Sequence, residues 1–264
     1  MQKKVCRVTK KTFIVSDKEE IYCQQHHIPL PTLCPEERMR QMYSFSNAVH
    51  LYNTQCAKTH KNILTWIPPD KGFPVYDIDE WMSDRWDGLT YGQEIDWNRP
   101  FLEQIADLQK KVPAPSLIVD RTTIENSDYC NGIGGAKNCY LLFVSSNNED
   151  CLFSFGLVNC KNVIDCIWST DCELCYDSNH LNNCYNVRHA EQSANCSDSA
   201  FLYNCRGLKN CFGCVNLRNK EYCWYNEQLT KADFGKRIAE FHSGSFKEIE
   251  KEKLKFLEFR KQFP

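Results

Sequence analysis

The sequence predicts a mainly β protein: a right-handed parallel β-helix (solenoid) of about five coils, with a small N-terminal zinc-ribbon-like module and helical caps. Two observations lead to this fold. Pairs of cysteines stand nine positions apart five times, and asparagine or aspartate often precedes the cysteine. The pairs are Cys130/Cys139, Cys151/Cys160, Cys175/Cys184, Cys196/Cys205 and Cys214/Cys223.

The period of the repeat indicates a solenoid. The first members of successive pairs are 21, 24, 21 and 18 residues apart, which is too short for a repeat of two helices. Irregular coil length argues against the left-handed hexapeptide form, and crossover handedness favours the right-handed one. Like positions of successive coils stack about 4.8 Å apart, so we expect two structural ladders of cysteines. One ladder would hold Cys130, Cys151, Cys175, Cys196 and Cys214, and the other Cys139, Cys160, Cys184, Cys205 and Cys223.

The residue types suit a narrow solenoid. A thiol is a small, polarizable hydrophobe that tolerates burial, so inward cysteines need no catalytic explanation. Asparagine and aspartate accept tight-turn geometry and bond neighbouring backbone, so those that precede a cysteine are predicted to form the corners of the coils. They are Asn138, Asp150, Asn159, Asp165, Asp171, Asn183, Asn195, Asn204 and Asn210.

Changes in composition divide the chain into four segments. Residues 1–65 form the small Cys/His-containing module, and residues 66–123 an aromatic-rich linker with a capping helix, for which we predict Asn98 as the N-cap and Pro100 in the first turn. Residues 124–226 carry the cysteine repeat. In residues 227–264, Thr230 with Asp233 resembles a capping box and Ser245 begins a charged helix, so we expect C-terminal helices that close the far end of the solenoid.

Charge and cysteine content exclude several classes of protein. The 32 basic and 34 acidic side chains give a net charge of −2, so no long-range attraction to nucleic acid or anionic membranes is expected. Neither a signal-peptide pattern nor a run of eighteen apolar residues is seen. We therefore expect a cytoplasmic protein without a membrane segment. The 17 cysteines are odd in number, which favours reduced thiols or metal ligands over disulfides.

A metal site is one interpretation of the N-terminal cysteines. Cys6, Cys23, Cys34 and Cys56 could close a zinc site in a module too small for its own core, and Cys23-x-x-His26 has knuckle spacing. In the complete knuckle pattern Cys-x-x-Cys, however, Thr9 and Glu37 stand in the place of the second cysteine. Two interpretations of these cysteines therefore remain open: they bind one structural zinc, or they are buried thiols without a metal.

Six segments of the chain carry a resemblance to a family of proteins. They are Pro-Leu-Pro-Thr-Leu-Cys-Pro at 29–35, Phe-Pro-Val-Tyr at 73–76, Trp-Met-Ser-Asp-Arg-Trp-Asp at 81–87, Tyr-Gly at 91–92, Arg-Pro-Phe at 99–101 and Asn-Cys-Phe-Gly-Cys-Val-Asn-Leu-Arg-Asn-Lys-Glu-Tyr at 210–222. With these segments the chain resembles an uncharacterised cysteine-rich family of candidate phyla radiation (Patescibacteria) bacteria whose members carry zinc-binding labels. The resemblance covers nearly the whole chain and implies the same architecture. In that family a Cys-x-x-Cys opens the N-terminus and a Cys-Pro-x-Cys-Arg follows, which matches Cys6 and Cys34 and departs at Thr9 and Glu37.

Three functions follow as hypotheses. A regular solenoid surface favours a noncatalytic binding or scaffold protein with a protein partner. Dimer formation through coil edges or caps is left open as an alternative. A nucleic-acid- or ribosome-associated zinc protein is the first alternative. A carbohydrate-active enzyme or glycan-binding protein is the second, with Trp81 and Trp86 stacking on sugar rings beside Asp84 and Asp87.

Overall fold

The computed structural model describes residues 2–44, 47–241 and 244–264. The chain forms two compact units, Met1–Asn47 and Ala48–Pro264. The segment around Cys56, which the sequence analysis grouped with the first module, therefore lies in the second unit. None of the helices in the described ranges combines the length and the apolar character needed to cross a membrane.

The first unit is a hairpin followed by two helices. Strands β1 (Gln2–Val5) and β2 (Thr12–Val15) pair antiparallel. Helix α1 (Asp17–Gln25) begins after Ser16, whose hydroxyl accepts the N–H of Glu19. Helix α2 (Pro35–Tyr43) begins with proline at its first position, where the missing N–H costs nothing.

The second unit opens with a similar hairpin, β3 (Tyr52–Gln55) and β4 (Asn62–Thr65). Cys56, Ile63, Ile67 and Val75 form a small core behind it. The connection to the solenoid contains short 3-10 turns at Pro69–Lys71 and Gly88–Tyr91, β5 (Val75–Tyr76), α3 (Ile78–Trp81), α4 (Phe101–Gln109) and β6 (Ala114–Pro115), which pairs parallel with β5.

The cysteine repeat folds into a β-solenoid of about eight turns, not five. Its sheet has ten strands, all parallel except the last, β16, which pairs antiparallel with β15. The strands are β7 (Ile124–Glu125), β8 (Asn131–Lys137), β9 (Tyr140–Phe155), β10 (Lys161–Ile167), β11 (Tyr176–Asn179), β12 (Tyr185–Glu191), β13 (Ser197–Tyr203), β14 (Phe212–Val215), β15 (Cys223–Trp224) and β16 (Glu227–Gln228).

The coil is twelve residues long because the chain turns at every third residue. Every third residue from Asn126 to Tyr225 has a positive φ, and from Cys130 to Cys214 the residue that follows each of them is buried and points inward. Paired residues are twelve apart, as in Ile124 with Ala136 and Phe212 with Trp224. A coil therefore has four sides of three residues. The prediction that asparagine and aspartate before cysteine form the corners is confirmed, with φ near +50° at all nine positions.

The predicted cysteine ladders are wrong, although all ten cysteines are buried. A spacing of nine is three sides of a coil, so the members of a pair face different sides, and Cys151 stacks beside Val163. The Cys130 thiol lies 3.7 Å from the carbonyl oxygen of Cys139 in the next coil. The twelve-residue register instead aligns Cys160, Cys172, Cys184 and Cys196 in one column.

Two C-terminal helices, α5 (Lys231–Glu240) and α6 (Phe246–Arg260), pack on the outside of the solenoid. Thr230 caps α5 and Ser245 caps α6, as the sequence predicts. Phe234 and Phe256 of the helices contact the outward side chains of Phe201, Phe212 and Val215. The helices thus cover a side of the later coils, whereas the prediction had them closing the end, and β16 extends the last strand edge.

Candidate binding face

The structure brings two of the proposed metal ligands, Cys6 and Cys34, together around Thr9. The Thr9 hydroxyl lies 3.6 Å from the Cys34 sulfur, and the Thr9 N–H points at the Cys6 sulfur from 3.5 Å. The carboxylate of Glu37 instead accepts hydrogen bonds from Arg40, at 2.6 and 2.8 Å, and from Gln41. A hydroxyl and an ion-paired carboxylate therefore stand where a complete zinc site would have thiolates.

The Cys6 sulfur accepts hydrogen bonds from its neighbours. Burial alone would raise the pKa of Cys6, but hydrogen bonds from the Thr9 side chain and from the backbone of Cys34, Thr9 and Val8 outweigh it and lower the pKa to about 6. The sulfur is thus stabilised as a thiolate near neutral pH by N–H and O–H donors.

Cys56 occupies an equivalent position in the second unit. Its sulfur accepts the N–H groups of Thr59, at 3.4 Å, and Asp77, at 3.3 Å. Glu80, three residues after Asp77, is ion-paired with Lys58 and Arg85, at 2.6 and 2.5 Å. These two bonds lower the pKa of Glu80 to about 2, Arg85 having the larger effect. The Cys-x-x-Thr hairpin thus occurs twice, fifty residues apart, and sequence reasoning missed the duplication although the spacing shows it.

The remaining proposed ligands do not complete a metal site. Cys23 is buried in α1, and His26 follows that helix with its ring 4.4 Å from the ring of Tyr22. In the part of the chain that the structure describes, no three His, Cys, Asp or Glu side chains are grouped to hold a metal ion. The donors around Cys6 and Cys34 do not supply the four ligands of tetrahedral zinc.

The residues proposed for sugar binding take part in packing. The Trp86 indole N–H donates to the Trp81 carbonyl at 2.7 Å, and the Trp81 indole N–H donates to the Pro113 carbonyl at 3.1 Å. The exposed Asp87 accepts the N–H of Leu89 and begins a 3-10 turn. Asp84 is exposed. The indole N–H groups of both tryptophans are therefore already hydrogen-bonded to backbone carbonyls of the protein.

A different surface stands out on the outside of the solenoid. The outward residues on two adjacent sides of the coil form two continuous columns, because each is paired with the residue twelve positions on. Both columns are mainly apolar at the start and at the end of the solenoid. One column is Leu152, Ile164, Tyr176, Arg188, Ala200, Phe212 and Trp224, and the other is Phe155, Ile167, Asn179, Glu191, Tyr203 and Val215.

The corner between these columns carries aromatic residues at alternate coils. Its positive-φ residues include Asp177 at the centre, Phe201 and Tyr225 two and four coils later, and Phe153 and Tyr129 two and four coils earlier. Asp165 precedes Asp177 by one coil, and His189 follows it by one. We call this row of side chains the corner column.

Helix α6 binds the later half of the corner column. Lys253 pairs with Asp177 at 2.7 Å, and the Phe256 ring lies 6.1 Å from that of Phe201. The Phe259 ring lies 4.9 Å from that of Tyr225. A basic residue and two aromatic residues, spaced by three along the helix, therefore recognise an acid and two aromatic residues on the solenoid.

The earlier half of the same surface is more exposed than the half that α6 contacts, where Phe201 is buried. Its apolar side chains are between 38% and 53% exposed, and we call them the open face. Successive rings contact one another edge to face, as in Tyr129 with Tyr140 and Tyr140 with Phe153. Exposed apolar patches of this kind mark interaction sites. The open face consists of Tyr129, Tyr140, Phe153, Ile164, Ile167 and Trp168.

A cleft of about 450 Å³ separates α6 from the open face. Asp165, Ile167 and Asn179 line it from the solenoid, and Leu257 lines it from α6. The Asp165 carboxylate has no hydrogen bond or ion pair with any residue in the described ranges. The buried side-chain oxygen of Asn179 likewise finds no donor among the described residues. The Asp165 carboxylate and the Asn179 side-chain oxygen are thus two acceptors of the cleft that have no donor among the described residues.

His189 and Asp177 form a hydrogen-bonded pair at the back of the cleft. The Nδ1 atom of His189 lies 2.9 Å from the Asp177 carboxylate, and the His189 ring stacks on Phe201 at 4.8 Å. Burial lowers the pKa of His189, although the bond to Asp177 opposes this. Ser178 carries the only hydroxyl among the lining residues, and it donates inward to the Tyr176 carbonyl. Among the residues that line this cleft, therefore, no hydroxyl is left free to act as a nucleophile on the pair.

Sequence reasoning missed this surface. The sequence analysis placed Asp165 at a corner but did not relate it to Phe153, Asp177 or His189, because the twelve-residue coil that aligns them was not recognised. The signal was the three-residue period itself, which places every twelfth residue on one line. Neither a scan of protein-family models nor a search of curated proteins finds a match to this chain.

Proposed function

We propose that this chain is a noncatalytic binding protein, a scaffold whose solenoid presents the open face to a protein partner. The observation that carries the proposal is the exposed apolar surface itself. Four-sided coils fill their interior with their own small side chains, so no ligand cavity is expected inside. The outward apolar residues, in contrast, contribute nothing to that interior.

The alternative functions have less support. The rings of Trp81 and Trp86, which were proposed to stack on sugars, are half-buried and pack against each other, and Trp86 also packs against Tyr76 and Tyr91. The basic residues Lys253, Lys255 and Arg260 of α6 each pair with a carboxylate, which reduces the charge available to phosphates. Zinc binding by Cys6 and Cys34 stays a prediction.

The proposal is tested by selecting binders from a displayed library of random peptides with the full chain as the target. Recovered peptides are then measured on the double variant Ile164→Asp/Ile167→Asp. We expect them to lose binding, because a charge in the centre of an apolar contact is desolvated at a cost. Val158→Asp/Tyr185→Asp is the matched control, since Val158 and Tyr185 also lie between corners and are 37% and 48% exposed, against 38% and 45% for Ile164 and Ile167.

Two outcomes would count against the function. One is a selection that yields no binder. The other is a set of binders that the open-face variant and the control variant affect equally, which would place binding elsewhere. Circular dichroism and thermal unfolding of both double variants show whether either substitution disturbs the fold.

A further inference from the structure

We propose that the open face binds a basic, aromatic amphipathic helix of a partner protein, laid beside α6 as the next helix on the same surface. This inference rests on the proposed binding function and names the chemistry of the partner. It predicts a lysine or arginine in that helix, followed by two aromatic or large aliphatic residues at spacings of three or four.

The first argument is continuity with an interface that the protein already makes. Helices α5 and α6 cover the two columns and the corner over the later coils, through Phe234 and Phe256. The same columns continue without interruption into the open face. Leu257 of α6 lines the cleft beside the open face, so a helix placed there would contact both the solenoid and α6.

The second argument is the spacing of the corner column. Phe153 and Tyr129 lie two and four coils before Asp177, as Phe201 and Tyr225 lie two and four coils after it. Phe256 and Phe259 of α6 contact the later pair of rings. The earlier pair offers the same rings at the same separation. An amphipathic helix in an apolar groove is a common recognition mode, and its anchors recur at three- and four-residue spacing.

The third argument is charge. Lys253 of α6 meets Asp177 at 2.7 Å, and the next acid along the corner column, Asp165, meets no cation of the described residues. The buried Asn179 oxygen beside it also lacks a donor there. A second copy of this chain docked through the same face about a two-fold axis would bring two Asp165 carboxylates toward each other. A basic helix satisfies both acceptors.

The test uses a synthetic peptide of residues 245–264, which carries Lys253, Phe256 and Phe259, and the full chain as receptor. Fluorescence anisotropy of the labelled peptide measures binding. We expect saturable binding that weakens about two- to five-fold on Asp165→Asn, as for an exposed ion pair. Phe153→Asn, which keeps a residue suited to positive φ, should weaken it by about tenfold or more. Asp171→Asn, at another corner, and Leu174→Asn are the matched controls.

Peptide variants test the partner chemistry. The peptide with Lys253→Glu should bind more weakly than the original, and this difference should shrink in high salt. The peptide with Phe256→Ala and Phe259→Ala should not bind. Binding that survives Asp165→Asn but is lost on Asp177→Asn would mean that the peptide has displaced α6, and would overturn the inference.

The inference and the proposed function can fail separately. If library peptides bind the open face but are acidic or extended, and the α6 peptide does not bind, the basic helix is wrong while the binding function stands. If light scattering shows a dimer that Ile164→Asp/Ile167→Asp abolishes, a second copy occupies the face and the inference is overturned. If nothing binds the open face, both are wrong.

Discussion

At the scale of single residues, the corners decide the shape of the solenoid. A non-glycine residue with positive φ costs roughly 1–2 kcal/mol, least for asparagine and aspartate. The chain adopts positive φ at every third position from Asn126 to Tyr225. Five of these residues are glycine, whereas Leu141, Val144 and Phe153 are neither glycine nor asparagine or aspartate and carry the full cost. The hydrogen bonds between coils that each corner permits offset the conformational cost of its positive φ.

Asn195 gives a direct test of this cost. It is exposed with φ of 54°, and its side chain has no hydrogen bond in the described structure. We expect Asn195→Ala to lower the free energy of unfolding by about 1 kcal/mol and Asn195→Gly to change it little. Asn182→Ala is the control, because Asn182 is exposed on a flat part of the same side. Equal losses at both sites in urea unfolding would contradict the explanation.

His189 makes the stability of the α6 interface depend on pH. Burial holds the pKa of His189 below its usual 6.5, with Asp177 and Lys253 as its charged neighbours. Between the native pKa and 6.5 the unfolded state binds more protons, so the free energy of unfolding falls as pH falls through that window. We expect His189→Phe to flatten this slope in unfolding curves between pH 5 and 7.5. An unchanged slope would show that His189 is not the group responsible.

Asp177 acts in a separate and more acidic window. Burial would raise its pKa, but bonds from Lys253 and His189 outweigh this and lower it below 3.8. Its contribution is present above the unfolded pKa and is lost only as pH falls below about 4. The difference between the wild type and His189→Phe at pH 5–7.5 therefore reports the histidine alone.

At the scale of elements, the two Cys-x-x-Thr hairpins show how hydrogen bonds to a cysteine sulfur, in place of a metal, can stabilise the turn that follows the cysteine. Cys6 and Cys56 each accept the N–H of the threonine three residues later, at 3.5 and 3.4 Å. Lys10 and His60, four residues after each cysteine, have positive φ near 60°. The backbone geometry is thus shared, while the side chains that would bind a metal differ.

This geometry predicts that zinc binding can be strengthened with two substitutions. Thr9→Cys with Glu37→Cys would surround the site with four thiols, the set that tetrahedral zinc prefers. We expect about one zinc per chain in the double variant after purification without chelator. The wild type should hold less, as measured by mass spectrometry of the metal content.

The controls for zinc separate the site from other thiols. Thr59→Cys in the second hairpin, where Asp77 and Glu80 are not cysteines, should not add a zinc. Wild type that holds as much zinc as the double variant would contradict the reasoning and support the site predicted from Cys6 and Cys34. A double variant without zinc would show that the backbone around Thr9 is not a knuckle.

At the scale of the whole molecule, the sequence predicted the class of fold but not its dimensions. Asparagine before cysteine predicted corners correctly, because that preference is local. The coil length failed because the nine-residue spacing of cysteines is three sides of a four-sided coil. The inward positions also hold serine, leucine, valine and alanine, so the full three-residue period does not appear in the cysteines alone. The binding face could not be predicted, because it exists only once every twelfth residue is aligned.

The twelve-residue coil predicts which deletions the molecule tolerates. Removing residues 145–156 joins Val144 to Leu157, so a corner is again followed by an inward residue and all four sides stay aligned. Stability in a solenoid is roughly a sum over coils and their contacts. We therefore expect a folded protein with a lower melting temperature, one cooperative transition and α6 still bound to the later coils.

Removing nine residues, 145–153, is the discriminating comparison. The junction of Val144 with Ser154 keeps corners and inward residues in phase, but it rotates all later coils by one side relative to the earlier ones. The open face and the face that α6 covers would then no longer be continuous. Both deletions remove Phe153 and should therefore weaken peptide binding. We expect the nine-residue deletion to weaken it further than the twelve-residue deletion does, although it removes fewer residues. Equal behaviour of the two deletions would mean that alignment of the sides is not what builds the binding face.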